Sequence, residues 1–200
     1  STKGNCYLCG GVFGKGAIKN HLLKKHGKKH GGDGQECALI KVEDAGTKDY
    51  WLYIDVPMEE TLESVDAFLR RIWLECCDHM SIFRMKREFW DEDTDYGKAF
   101  EIGSIPIGTQ LIHDYDMGST TETLITFMGS ISRPPQKEAV RLLARNVPPE
   151  FSCAVCGAEA AFIDTAVMYN SENPFYCAKC AEARNEEMLL PVTNSEPPHI

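Results

Sequence analysis

Tyr50-Trp51-Leu52-Tyr53-Ile54-Asp55-Val56-Pro57 is the stretch on which the fold turns. Aromatic and aliphatic residues dominate the run, which favours a strand, and Pro57 stops it because proline cannot donate to a ladder. The residues after Pro57 predict a long amphipathic helix over 61–80. Leu62, Val65, Leu69, Ile72 and Cys76 recur every three or four positions, Phe68 and Trp73 widen the apolar face, and Glu59, Glu60, Glu63 and Asp66 crowd the start. On the N-terminal side, Cys37-Ala38-Leu39-Ile40-Lys41-Val42-Glu43 predicts a hairpin partner, with Asp44-Ala45-Gly46-Thr47 as the turn.

Beyond the helix, residues 81–90 alternate, with Phe83, Met85 and Phe89 on one side and Arg84, Lys86 and Glu88 on the other. The acids in 91–97 make a solvated turn, since they lack the twelve-residue calcium-loop pattern. Residues 98–102 are expected to return as a strand, and 109–117 and 121–130 to form two more, joined near Gly118. Residues 138–145 fit either a strand or a short helix. A strand is preferred, as a hairpin partner for 121–130. The expected fold class is α+β: a mostly antiparallel central sheet with one long amphipathic helix, flanked by two small zinc modules.

Six of nine cysteines fall in three Cys-x-x-Cys pairs, leaving Cys37, Cys76 and Cys77. An odd count with paired spacing argues for metal in a reducing, cytoplasmic setting and against a disulfide framework. Cys6, Cys9, His21 and His26 have the spacing of a two-cysteine, two-histidine zinc finger, one residue short in the middle, with Phe13 and Ile18 as its apolar pair and Leu22 beside them. Cys153, Cys156, Cys177 and Cys180 have the spacing of a four-cysteine zinc ribbon, and Gly157 suits its knuckle. Residues 160–169 supply a hairpin with a turn at Asn173-Pro174, and residues 181–188 read as helix. A redox Cys-x-x-Cys at the N-terminus, and iron or two redox pairs at the C-terminus, are the alternatives. Two zinc ions are expected. The segments are a finger over 1–30, a glycine-rich linker over 31–36, the α+β domain over 37–149, the ribbon over 150–190 and an extended or loose tail over 191–200.

The net charge of −9 hides a split, because residues 1–30 carry seven lysines and no acid. Lys15, Lys19, Lys24, Lys25, Lys28 and Lys29 would give affinity for DNA or RNA phosphate without much choice of sequence. Residues 147–200 carry eight acids against Lys179 and Arg184, which disfavours nucleic acid there and favours a protein partner or contact with the basic finger. No secretion signal is visible, and apolar runs are too short to span a bilayer.

Tyr50 to Val56, the helix opening Thr61-Leu62-Glu63, Ile72-Trp73, His79 and Tyr115-Asp116-Met117-Gly118 together resemble the plasmid pRiA4b ORF-3-like family over roughly residues 37–150. The resemblance implies an α+β fold, an association with plasmids and mobile elements, and no established activity. Met117, Ser119, Thr121 and Thr123 stand where that family has an aromatic, an aspartate, a tryptophan and a histidine. No nucleophile elbow, phosphate loop or dinucleotide fingerprint occurs. His113, Asp114, Asp116 and Glu122 lie close in sequence, but on a strand His113 points away from the two aspartates. The expectation is therefore a non-enzymatic protein with no catalytic residues that touches nucleic acid through its finger. The alternatives are an adaptor that docks proteins on finger and ribbon, and an enzyme with a site in the central sheet.

Overall fold

The computed structural model describes residues 2–27, 34–46, 48–74, 78–86, 95–167, 170 and 172–194. The chain divides into two compact units, Ser1–Val147 and Pro148–Ile200.

In the first unit the described residues form a nine-stranded antiparallel sheet. Its strands are β1 (Lys3–Cys6), β2 (Val12–Gly14), β3 (Gln35–Asp44), β4 (Trp51–Pro57), β5 (Ser81–Met85), β6 (Asp95–Tyr96), β7 (Gln110–Tyr115), β8 (Thr121–Arg133) and β9 (Arg141–Asn146). Their spatial order is β2-β1-β9-β4-β3-β8-β7-β5-β6. Two helices accompany them, α1 (Lys15–His21) and α2 (Leu62–Ile72). The β3–β4 hairpin forms as expected, with Cys37 opposite Pro57 and Glu43 opposite Trp51.

Every residue of β4 is buried, because both faces of the sheet are covered here. On one face Cys37, Leu39, Trp51, Tyr53, Ile131 and Leu143 pack with Ile18 and Leu22 of the finger. On the other, α2 is tied down where Asp66 meets Ser81 of β5 and His113 of β7. Three layers result: finger, sheet, helix. The finger is hydrogen bonded into the sheet as well as laid on it. β1 pairs with β2 on one side and with β9 on the other. Trp51 Nε1 donates to Thr2 Oγ1 at 2.8 Å. Gly4 passes so close that a Cβ there would collide with the Trp51 indole and the Arg145 carbonyl. Of the expected linker, Gln35 and Glu36 already belong to β3, and residues 31–33 lie outside the described part.

Of four expectations in this unit, the structure corrects three, and one falls mostly outside the described residues. The helix expected over 61–80 ends at Ile72: Trp73 leaves helical geometry at φ −128°, and the N–H groups of Trp73 and Leu74 both donate to the Leu69 carbonyl. His79 therefore lies beyond the end of the helix, and Cys76 and Cys77 lie outside the described residues. Second, residues 98–102 form no strand. The carbonyls of Lys98 and Phe100 accept from the N–H groups of Glu63 and Leu62, which α2 leaves open at its start. It is Asp95–Tyr96 that pairs with β5, while Ile102–Ser104 make a 3-10 turn. Third, residues 87–94, including most of the expected acidic turn, fall outside the described part. Fourth, β9 is a strand but not the partner of β8, whose edges are taken by β3 and β7. It pairs with β4 and β1 instead.

The second unit is a three-stranded sheet in the order β11-β10-β12, made of β10 (Phe162–Asp164), β11 (Phe175–Tyr176) and β12 (Leu189–Pro191). The helix expected over 181–188 is displaced: α3 spans Ala178–Ala181, and Asn185 then caps a 3-10 turn at Glu186–Met188 by accepting from the Glu187 N–H. The tail expected to be extended or loose begins at Pro191, the last residue of β12, and residues 195–200 are outside the described part.

Candidate metal centres

Each centre is built on a knuckle. Gly10 follows Cys9 at φ +71°; its N–H donates to the Cys6 carbonyl at 2.8 Å, and the Cys6 N–H donates to the Gly11 carbonyl at 2.9 Å. The ribbon repeats the geometry. Gly157 at φ +74° donates to the Cys153 carbonyl at 2.9 Å, and the Cys153 N–H donates to the Ala158 carbonyl at 2.7 Å. A left-handed residue lets the chain fold back so that amides point at the first sulfur, and glycine adopts that conformation without strain. Gly157 is expected from the sequence and Gly10 is not, although Cys-x-x-Cys-Gly is the same signal at both knuckles.

The histidines come from the helical half of the finger. His21 ends α1, and His26 ends a π-helical turn over Leu22–His26. At about 100° per residue, α-helical side chains five apart diverge by about 140°. A π-turn, with its wider i→i+5 loop, brings them nearly into line. The two Nε2 atoms consequently lie 3.2 Å apart. The missing residue costs no helix: β2 ends at Gly14 and α1 starts at Lys15 with no loop between them. Phe13 stacks on the His21 ring at 3.9 Å between centroids, and Ile18 and Leu22 are fully buried.

In each group the four ligand atoms all lie within 4.8 Å of one another. Cys6 Sγ is 3.7 Å from His26 Nε2, and Cys9 Sγ is 3.3 Å from His21 Nε2. Cys156 Sγ is 3.7 Å from Cys177 Sγ and 3.8 Å from Cys180 Sγ. A tetrahedron with metal–sulfur bonds of about 2.3 Å has edges of about 3.8 Å, and metal–nitrogen bonds of about 2.0 Å give edges of about 3.3 Å. The separations fit those edges, so each group could hold a metal ion.

The electrostatics agree. Burial, followed by the charge of Lys25, lowers the pKa of His21. At His26 burial acts first, with His21, Lys25 and Arg141 adding to it. Both imidazoles are thus held in the neutral form that a metal requires. In the ribbon the backbone N–H of Cys177, with those of Cys156 and Val155, pulls the Cys153 thiol down to about 6. Cys180 is pushed up to about 12, first by its contacts with Cys177 and Cys156. Four crowded sulfurs cannot all ionise alone; a divalent cation removes that conflict.

The expected phosphate-binding lysines divide. Lys24 and Lys25 are exposed and Lys19 is half-buried. Lys15 is committed elsewhere: it pairs with Glu43 at 2.8 Å and also donates to the Lys48 carbonyl. Lys28 and Lys29 lie outside the described residues.

In the central sheet, the acids considered for catalysis are engaged with other groups. Asp114 and Glu122 both pair with Arg84, at 2.6 and 2.7 Å. Asp116 accepts from the Gly118 N–H at 2.9 Å. His113 lies on the opposite face, 2.7 Å from Asp66. Asp66 also accepts from Ser81 at 2.6 Å, and from Arg70 and Lys98 at 2.9 Å. Burial raises the Asp66 carboxyl, but these partners, His113 foremost, hold it well below the usual range. Ser81 donates to Asp66 at the oxygen that also faces His113, so this network locks α2 to the sheet. Its members are 15 to 47 residues from Asp66, beyond the reach of local sequence pattern, apart from Arg70 one helical turn on.

Among the described residues no helix is long and apolar enough to cross a membrane. No family model matches the chain, and no curated protein matches it. A crystal structure of a protein of unknown function from Methanosarcina mazei Go1 overlaps 55% of this chain and 68% of its own, at a TM-score of 0.44 and 13% identity.

Proposed function

We propose that the chain is a non-enzymatic zinc-binding protein whose two ions are structural and whose basic finger contacts nucleic-acid phosphate. One observation carries the zinc reading: in each group four donors close on a single point at tetrahedral spacing. Cys6, Cys9, His21 and His26 would hold one ion, and Cys153, Cys156, Cys177 and Cys180 the other. Four protein ligands leave no position for water or substrate, so neither ion would be catalytic.

Support for phosphate contact comes from exposed Lys24 and Lys25, with Lys19 beside them and Lys28 and Lys29 continuing the basic run. The exposed positions of α1 are Gly16, Ala17 and Asn20, of which only the Asn20 side chain could hydrogen bond to a base edge, so binding should be nearly indifferent to sequence. The resemblance to the pRiA4b ORF-3-like family adds an association with mobile elements to this reading. An adaptor role is the second reading, favoured by exposed Tyr7 and Val12 on the finger and exposed Val155 on the ribbon knuckle. A salt titration separates the two. Phosphate contact weakens steeply as salt rises and is lost when Lys24 and Lys25 are neutralised, whereas apolar docking is indifferent to both.

A further inference from the structure

The finger-side face of the sheet carries a second charged cluster, at the other end of β3 from Lys15 and Glu43. Asp55 of β4 is fully buried and lies opposite Arg141 of β9 in the ladder. It accepts from Arg133 Nη1 at 2.8 Å, from Arg141 Nε at 3.0 Å, and from Arg141 Nη2. Arg133, at the end of β8, is itself fully buried. Its Nη2 donates to the Glu138 carbonyl at 2.8 Å, while its Nε has no partner among the described residues. Two guanidinium groups thus share one carboxylate. Burial pushes the Asp55 carboxyl upward, and the pull of Arg141 and Arg133 offsets this only in part. Arg133 and Asp55 are both fully buried and balance one another, so the second positive charge rests on the partly exposed Arg141.

Beside the cluster, residues 135–138 and 140–142 line an open, solvent-facing cavity of about 710 Å³. Arg141 is on its wall, with a side chain 22% exposed. Nε and Nη2 face Asp55, which leaves Nη1 for a ligand. Lys137 is a second cation on the wall, with no ion pair among the described residues, and Glu138 supplies the opposing acid. Pro135, Val140 and Leu142 provide apolar surface.

We propose that this cavity binds a small oxyanion carried on an apolar body, recognised by Arg141 and Lys137. Arg133 and Asp55 are positioning residues: they hold the Arg141 fork rigid, and Arg133 also fixes the Glu138 backbone. The site shares no side chain with the finger's ligand group, although Arg141 lies within electrostatic reach of His26, and it does not depend on nucleic-acid binding by the finger.

The test uses the full zinc-loaded chain and three probes, phenyl phosphate, benzoate and the neutral benzyl alcohol, titrated by calorimetry into the millimolar range. Saturable binding of phenyl phosphate alone identifies a phosphate site, and binding of benzoate as well identifies a general oxyanion site. Lys137→Gln, a surface change that cannot unfold the sheet, should weaken binding by about tenfold, as expected for loss of one charge-assisted contact. Arg141→Lys keeps the charge but not the fork, and should weaken it by at least as much. The proposal is overturned if neither anion binds, if benzyl alcohol binds as well as they do, or if Lys137→Gln leaves the affinity unchanged.

Discussion

Removing the finger's metal should undo the sheet as well as the finger. Cys9→Ser is the informative change, because Cys9 is exposed while Cys6 lies inside the core. It deletes a ligand without deleting packing. Ile18 and Leu22 are fully buried against Leu39, Trp51, Tyr53, Ile131 and Leu143. Full burial of one such side chain is worth about 1.5–3 kcal/mol. Two chains lose all of it and five lose one face, which sums to roughly 10 kcal/mol as an upper estimate. A domain's whole net stability is about 5–15 kcal/mol, so the layer carries most of it. Amide hydrogen exchange in β3, β4 and β9, read with the thermal transition, measures the effect. Cys9→Ser should strip protection from Leu39, Tyr53 and Leu143, while the matching change Cys156→Ser in the second unit should not. A Cys9→Ser chain that releases its metal yet keeps both the transition and the protection of those amides would refute the coupling.

The same geometry sets other outcomes. Asp66→Asn leaves Arg70 and Lys98 without their counter-charge and should cost about 3 kcal/mol in denaturant unfolding. Because the folded carboxyl is depressed, its contribution is complete above the unfolded value of about 4 and is lost only as pH falls through the lower folded value. The gap between variant and parent should therefore hold from pH 7 to pH 5. The double change Lys24→Gln with Lys25→Gln should flatten the salt dependence of oligonucleotide binding by about 0.9 log units per lost phosphate contact, measured by fluorescence anisotropy. Lys15→Gln should leave that binding unaltered but lower the melting temperature, since Lys15 pairs with Glu43. Gly157→Ala forces a side chain into a left-handed residue at a cost of about 1–2 kcal/mol, so a competing chelator should take the ribbon's zinc about tenfold more readily.

The two candidate ligand groups were legible because their geometry is local. Cys-x-x-Cys followed by glycine specifies a knuckle within five residues, and the His21–His26 spacing requires only one turn of helix. The β3–β4 hairpin was legible for the same reason, its strands being joined by a short turn. What was not legible depends on distant pairing. Nothing near Arg141 says that its strand adds to β4, because that choice is made by β3 and β7 occupying both edges of β8. The ion pairs of Asp55 with Arg133 and Arg141 span 78 and 86 residues. One clue was present in the sequence. Tyr50 to Val56 is apolar at nearly every position, as in a strand covered on both faces, and α2 can cover only one. The second face needed a cover, and the finger's Ile18 and Leu22 provide it.

Native mass spectrometry of the chain with and without a strong chelator is the sharpest test of the two-metal architecture. Two zinc ions per chain are expected, falling to one in Cys9→Ser and one in Cys156→Ser. Protein purified from zinc-replete cells that carries no tightly held metal, or that loses both ions through a single one of these changes, would contradict it.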